Sequence, residues 1–159
     1  MDFRDRRDAG RKLAKALDAW RGRPDVVVLA LPRGGVPVAW EVARFLGAPL
    51  DVLVVRKLGF PGQEEFAMGA IASGGVRVMS ELPGFWPVSQ EAIEAVVGRE
   101  TQELARREEL YRDQRAPLAL AGRVVILVDD GLATGATMHA AVLAARAAQP
   151  QRIIVAVPV

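Results

Sequence analysis

Two adjacent carboxylates, Asp129 and Asp130, end an unbroken aliphatic run, VVILV at 124–128, and open a loop of small and hydroxylated residues, GLATGAT. Small residues let a phosphate approach the backbone. Free N–H groups at a helix N-terminus, together with the helix dipole, favour an anion there. Thr134 and Thr137 can add hydroxyl donors. The lysine and the spacing of a Walker A loop are both missing. Two carboxylates would repel a phosphate unless they faced another part of the same ligand, and sugar hydroxyls suit them as donors of charge-assisted hydrogen bonds. The string therefore asks for a sugar that carries a phosphate. Two other loops hold candidate chemistry: PRGG at 32–35, and Arg56–Lys57 ahead of the Gly/Pro-rich GFPGQEE. Lys57 is one of three lysines among 21 basic residues, and the other two, Lys12 and Lys15, fall in the first predicted helix.

The elements that must position these loops follow from hydrophobic periodicity. Leu13, Ala16, Leu17 and Trp20 at helical spacing predict an amphipathic helix over 4–20, ended by Gly22 and Pro24. Val26–Leu31 and Leu50–Val55 are aliphatic runs suited to strands covered on both faces, with a short helix, Val36–Leu46, between them. Met68–Ser73 and Val76–Ser80 flank Gly74–Gly75, a hairpin signal. Ser89 is placed to cap a long polar helix reaching about Asp113. Strand Val124–Val128, helix Gly135–Ala148 and strand Ile153–Val157 complete the order. Alternating aliphatic strands and helices imply an α/β fold with a doubly wound, mainly parallel sheet flanked by helices and a small hairpin or lid excursion. Ligands in such sheets sit beyond the carboxyl ends of the strands, at the switch point. All three unusual loops fall on that edge.

The chain has 159 residues, enough for one domain with a substantial core. A formal net charge of +2 gives no argument for nucleic acid or a membrane surface. The absence of cysteine excludes disulfides and thiolate metal sites. The charged N-terminus is no signal peptide and no run is long enough to span a bilayer, so a cytoplasmic protein is expected.

VVILVDDGLATGAT resembles, at nearly every position, the phosphoribosyl diphosphate (PRPP) signature of the type I phosphoribosyltransferases. Gly131 departs from it, standing where many members carry Val or Leu. ALPRGGVPVAWEVA is similar to the family's diphosphate loop, and VVRKLGFPGQEEFAMGAI to its basic pair followed by a mobile lid. The resemblance covers most of the chain from Val26 to Val157 and implies a single domain over 1–159. It implies that Asp129 and Asp130 hold the ribose hydroxyls, and that Ala133, Thr134, Gly135, Ala136 and Thr137 cradle the 5′-phosphate. Arg33, Gly34 and Gly35 would line the diphosphate, in a loop that members often hold with a non-proline cis peptide, and Lys57 would pair with the diphosphate as it leaves. Asp129, Asp130, Lys57 and Arg33 are thus the implied catalytic set. Mg²⁺ would be held mainly through PRPP, with Asp129 and Asp130 as its candidate protein contacts. A nucleobase is the implied acceptor and a homodimer the implied assembly. A lid over Gly59–Phe66 would exclude water.

Other readings stay open at this level. A regulatory module that binds PRPP or a nucleotide without transfer needs the same loops, and a metal-dependent hydrolase could use the carboxylate pair. Glu64 and Glu65 fit a lid contact or a solvated loop equally. Phe85 and Trp86 fit a hood over a base or a loop anchor. His139 is expected in a helix-surface or half-buried role and not a catalytic one, and Trp20 and Trp40 in the core. The sequence ends at Val159, directly after IIVAVPV, where family members run on. Either a minimal domain or a missing acceptor-binding segment is expected.

Overall fold

The computed structural model describes residues 3–79, 88–112, 118–132 and 135–158. Its central sheet has four parallel strands: β1 (Val26–Ala30), β2 (Leu50–Val52), β6 (Val124–Val128) and β7 (Arg152–Ala156), in the order β2-β1-β6-β7. β1 and β6 pair in register from Val26 with Val124 to Ala30 with Val128, and every residue of both is buried. Their side chains divide by alternation. Val26, Val28 and Ala30, with Val124, Ile126 and Val128, face one core layer, while Val27 and Leu29, with Val125 and Leu127, face the other. Two buried faces explain why these strands read as continuous aliphatic runs.

Helices α1 (Arg6–Ala16) and α2 (Gly35–Leu46) cover the first face. They approach closely at Gly10, where a β-carbon would lie 2.8 Å from the Val38 carbonyl oxygen and from Glu41 Cβ. Helix α4 (Ala136–Arg146) covers the second face. A separate antiparallel sheet, β3 (Val55–Phe60), β4 (Gln63–Ala72) and β5 (Val76–Met79), packs against α4 on one side. On the other it packs against the long helix α3 (Gln90–Arg112) through Leu58, Met68, Ile93 and Leu104. The doubly wound sheet expected from the sequence is therefore present, and its chain reversal lies between β1 and β6.

Three local expectations change. The predicted strand Leu50–Val55 stops at Val52, and Val55 starts the second sheet. The predicted loop at 59–66 is the tip of the β3–β4 hairpin, turning at Pro61–Gly62 with Gly62 at φ 81°. Gly59 made this stretch read as a loop. In the fold it lets the two strands close, since a β-carbon there would sit 3.2 Å from Glu64 Cα. Trp40 is 45 % exposed and Trp20 only partly buried, against the expectation of core positions. Guanidinium groups flank both rings, Arg44 and Arg7 at Trp40, Arg23 and Arg152 at Trp20. Cation–π contact thus takes the place of burial.

Candidate functional site

The loop after β1 runs across the carboxyl end of β6. Leu31 N–H donates to the Val128 carbonyl oxygen at 2.9 Å, which carries the sheet pairing one residue past β1. The Pro32–Arg33 peptide bond is cis, as the resemblance implied for this loop. Gly34 caps α2 and Gly35 opens it. Both glycines face the acid pair. A β-carbon at Gly34 would overlap the Asp130 carboxylate, and one at Gly35 would lie 2.7 Å from the Val128 carbonyl oxygen. Two loops far apart in the sequence thus meet backbone to carboxylate, because no side chain stands between them.

Asp129 and Asp130 directly follow β6 and are half-buried. Asp129 Oδ1 accepts from the Asp130 N–H at 2.8 Å. Burial and the neighbouring Asp130 carboxylate push the Asp129 carboxyl up to about 6, against the lowering effect of that backbone bond. Asp130 Oδ2 accepts from Arg6 Nε at 3.1 Å. Arg6 begins α1 and was not singled out in the sequence, where nothing links it to a residue 124 positions away. Its neighbour Asp5, whose side chain accepts from Asp8 N–H, is a capping residue that could have fixed the helix start but not its target.

Gly135 precedes α4 at φ 78°, and Ala136 and Thr137 form the first turn. Ala133 and Thr134 lie outside the described residues, as do Phe85 and Trp86. A β-carbon at Gly131 would meet nothing within 4 Å among the described residues. Arg33 and Thr137 line a cavity of about 600 Å³, whose other walls come from β3 and α3. Lys57, exposed at mid-β3, lines that cavity and also a second one of about 460 Å³ between the hairpin and α4, beside Gly135, Ala136 and Glu65. The predicted cation pair and the start of α4 therefore share one space. His139 is exposed on α4, as expected, and borders the second cavity. Among the described residues no group of three or more His, Asp or Glu side chains could hold a metal ion unaided.

An acid pair and a small-residue strand-to-helix loop thus stand at the switch point of a doubly wound sheet, the place where such sheets bind their ligands. The phosphoribosyl transferase domain model matches residues 4–159, and the chain belongs to that family. A crystal structure of TT1426 from Thermus thermophilus is 49% identical, with a TM-score of 0.90 over 99% of this chain and 74% of that one. A purine phosphoribosyltransferase from Pyrococcus horikoshii shares the fold at 19% identity, with a TM-score of 0.53 over 94% of this chain and 68% of that one. A Mycobacterium tuberculosis protein, provisionally named a phosphoribosyl transferase, is 51% identical over 99% of this chain. The chain spans 35% of that relative's length. No helix among the described residues is long and apolar enough to cross a membrane.

Proposed function

We propose that this domain binds PRPP with Mg²⁺ and transfers ribose 5-phosphate to a nitrogen acceptor, a nucleobase, releasing diphosphate. The observation that carries the reading is the meeting of the PRGG loop with the acid pair, seen in the space that Gly34 leaves for the Asp130 carboxylate. A ligand seated there meets ribose-binding acids and diphosphate-binding backbone at once. Asp129 and Asp130 take the ribose hydroxyls. Ala133 and Thr134, with Gly135, Ala136 and Thr137 at the α4 terminus, take the 5′-phosphate. Arg33, Gly34, Gly35 and Lys57 take the diphosphate.

In the reaction the C1–oxygen bond breaks and its electron pair leaves with diphosphate, while the acceptor nitrogen's lone pair forms the new C1–N bond and an N–H acceptor gives up its proton to solvent. Negative charge grows on the leaving group toward the transition state, so Lys57 and Arg33 bind that state better than the ground state. The carboxylates favour the positive charge on the ribose ring. The donor set suits a Mg²⁺ that arrives on PRPP oxygens, touched by one or two carboxylates, and not one held in a protein cage. Bound so, the ion would neutralise diphosphate charge. Glu64 and Glu65, just past the β3–β4 turn, line the two cavities, and closure of this hairpin over bound PRPP would exclude water. The setting is nucleotide metabolism in the cytoplasm.

Diphosphate release from PRPP and Mg²⁺, measured across purines, pyrimidines and nicotinate-type acids, tests the assignment. Acceptor-dependent release with one class is expected. PRPP binding with no release from any acceptor would leave a PRPP-sensing module in its place.

A further inference from the structure

The 600 Å³ cavity is larger than the diphosphate needs. At about 30 Å³ per water-sized atom, a diphosphate group fills roughly half of it. Its far wall is one face of α3: Val96, then Arg99 and Glu100 a turn on, then Arg106 and Arg107 two turns further, then Leu110 and Tyr111. Six basic side chains, Arg33, Arg56, Lys57, Arg99, Arg106 and Arg107, line the cavity against two carboxylates, Glu64 and Glu100. Glu100 is already engaged, accepting from Arg56 Nε at 2.8 Å in a contact that ties α3 to β3 and fixes the wall. Glu103, beside the stripe, accepts from the Nε of both Arg106 and Arg107 at 3.0 Å and holds the two guanidinium groups together. A guanidinium has five N–H donors, so both keep donors after that pairing. Arg99 has no ion pair among the described residues, and neither do Arg33 and Lys57. Next to this charge stands an apolar shelf, where Leu110 is 66 % exposed.

A solvated helix face would spread its charges. This one turns an excess of cations toward a walled cavity already lined by Arg33 of the PRGG loop and Lys57 of β3. We infer that Arg99, Arg106 and Arg107 form an anion subsite separate from the groups that hold PRPP. It binds the phosphate or carboxylate of a second organic ligand whose body lies on Leu110 and Tyr111. Planar guanidinium forks suit such oxyanions bidentately. The ligand has two sources of the same chemistry, an acceptor bearing an acid group or a nucleotide effector. The subsite's position beside Arg33 and Lys57 takes its meaning from the PRPP reading above.

Calorimetric titration of inorganic tripolyphosphate into the chain, alone and after saturation with PRPP and Mg²⁺, reads the subsite directly. Tripolyphosphate should still bind when PRPP is present, and Arg99→Ala/Arg106→Ala should weaken that binding about tenfold while PRPP affinity changes less than twofold. These side chains are exposed, so the variant should keep its circular dichroism and melting temperature. The subsite is overturned if PRPP displaces all bound tripolyphosphate, or if the double variant binds it as well as the parent. If PRPP fails to bind while arginine-dependent tripolyphosphate binding persists, the PRPP reading falls and the subsite stands. Acceptor kinetics separate the sources. A rise in KM confined to acid-bearing bases identifies an acceptor, and lost modulation by a nucleoside monophosphate at unchanged acceptor KM identifies an effector.

Discussion

At the scale of single residues the acid pair is an asymmetric device. Asp129 is crowded by burial and by Asp130, so its proton stays until about pH 6, while Asp130 has Arg6 on one oxygen. The sign of the resulting stability effect follows from linkage. A carboxyl whose folded value lies above its ordinary 3.8 costs stability as it ionises, so that cost is absent below about pH 4 and complete above the folded value. Asp129→Asn should therefore stabilise the ligand-free domain at pH 7 to 8. With half exposure discounted for solvent screening, the gain is about 1 kcal/mol. Urea unfolding should show the gain vanish near pH 4. PRPP binding needs the opposite, since hydroxyl donors favour the carboxylate. Calorimetry in buffers of different ionisation enthalpy should register proton release on binding at pH 6 in the parent, and less in Asp129→Asn. Equal release in both would detach Asp129 from the ligand. A second test sits at Gly34. Its β-carbon would displace the Asp130 carboxylate, so Gly34→Ala should weaken PRPP binding at least tenfold while the fold persists, read by calorimetry and circular dichroism.

Among elements, the central strands were the most legible in the sequence. VVVLA and VVILV are buried on both faces, and their shortness and β-branched content between turn signals favour a covered strand over a buried helix. The hairpin was half legible. Gly74–Gly75 announced the β4–β5 turn, but Gly59, Pro61 and Gly62 disguised the strands before it: Gly59 is needed for the close approach of Glu64 across the ladder, and Pro61–Gly62 for the turn itself. Two of the three unusual loops, PRGG and DDGLATGAT, meet at the switch point and were readable because each joins a strand end to residues that a core has no use for. The third, RKLGFPGQEE, is the β3–β4 hairpin of the second sheet and not a loop on that edge. Arg6 was hidden for the converse reason. An arginine opening an amphipathic helix is ordinary, and only the docking of α1 on α2 carries it to Asp130. That docking is testable. A β-carbon at Gly10 would meet the Val38 carbonyl oxygen and Glu41 Cβ at 2.8 Å, so Gly10→Ala should cost about 1–3 kcal/mol through overpacking. The same urea titration measures it. A neutral result would mean that the two helices meet elsewhere.

Across the whole molecule two sheets share the work. The parallel sheet delivers the PRGG loop and the acid pair to one point, and the antiparallel sheet puts Lys57 and Glu64 on the cavity that Arg33 also lines. Helix α3 closes the far side with arginines. The central claim is that these separate turns form one seat for a ribose with phosphate at one end and diphosphate at the other. Calorimetry with PRPP and Mg²⁺, on the parent and on Asp129→Asn/Asp130→Asn, tests it most directly. Micromolar binding by the parent and a loss of at least a hundredfold in the variant are the expected results. Indistinguishable binding by the two proteins would contradict the claim and remove the acid pair from the site.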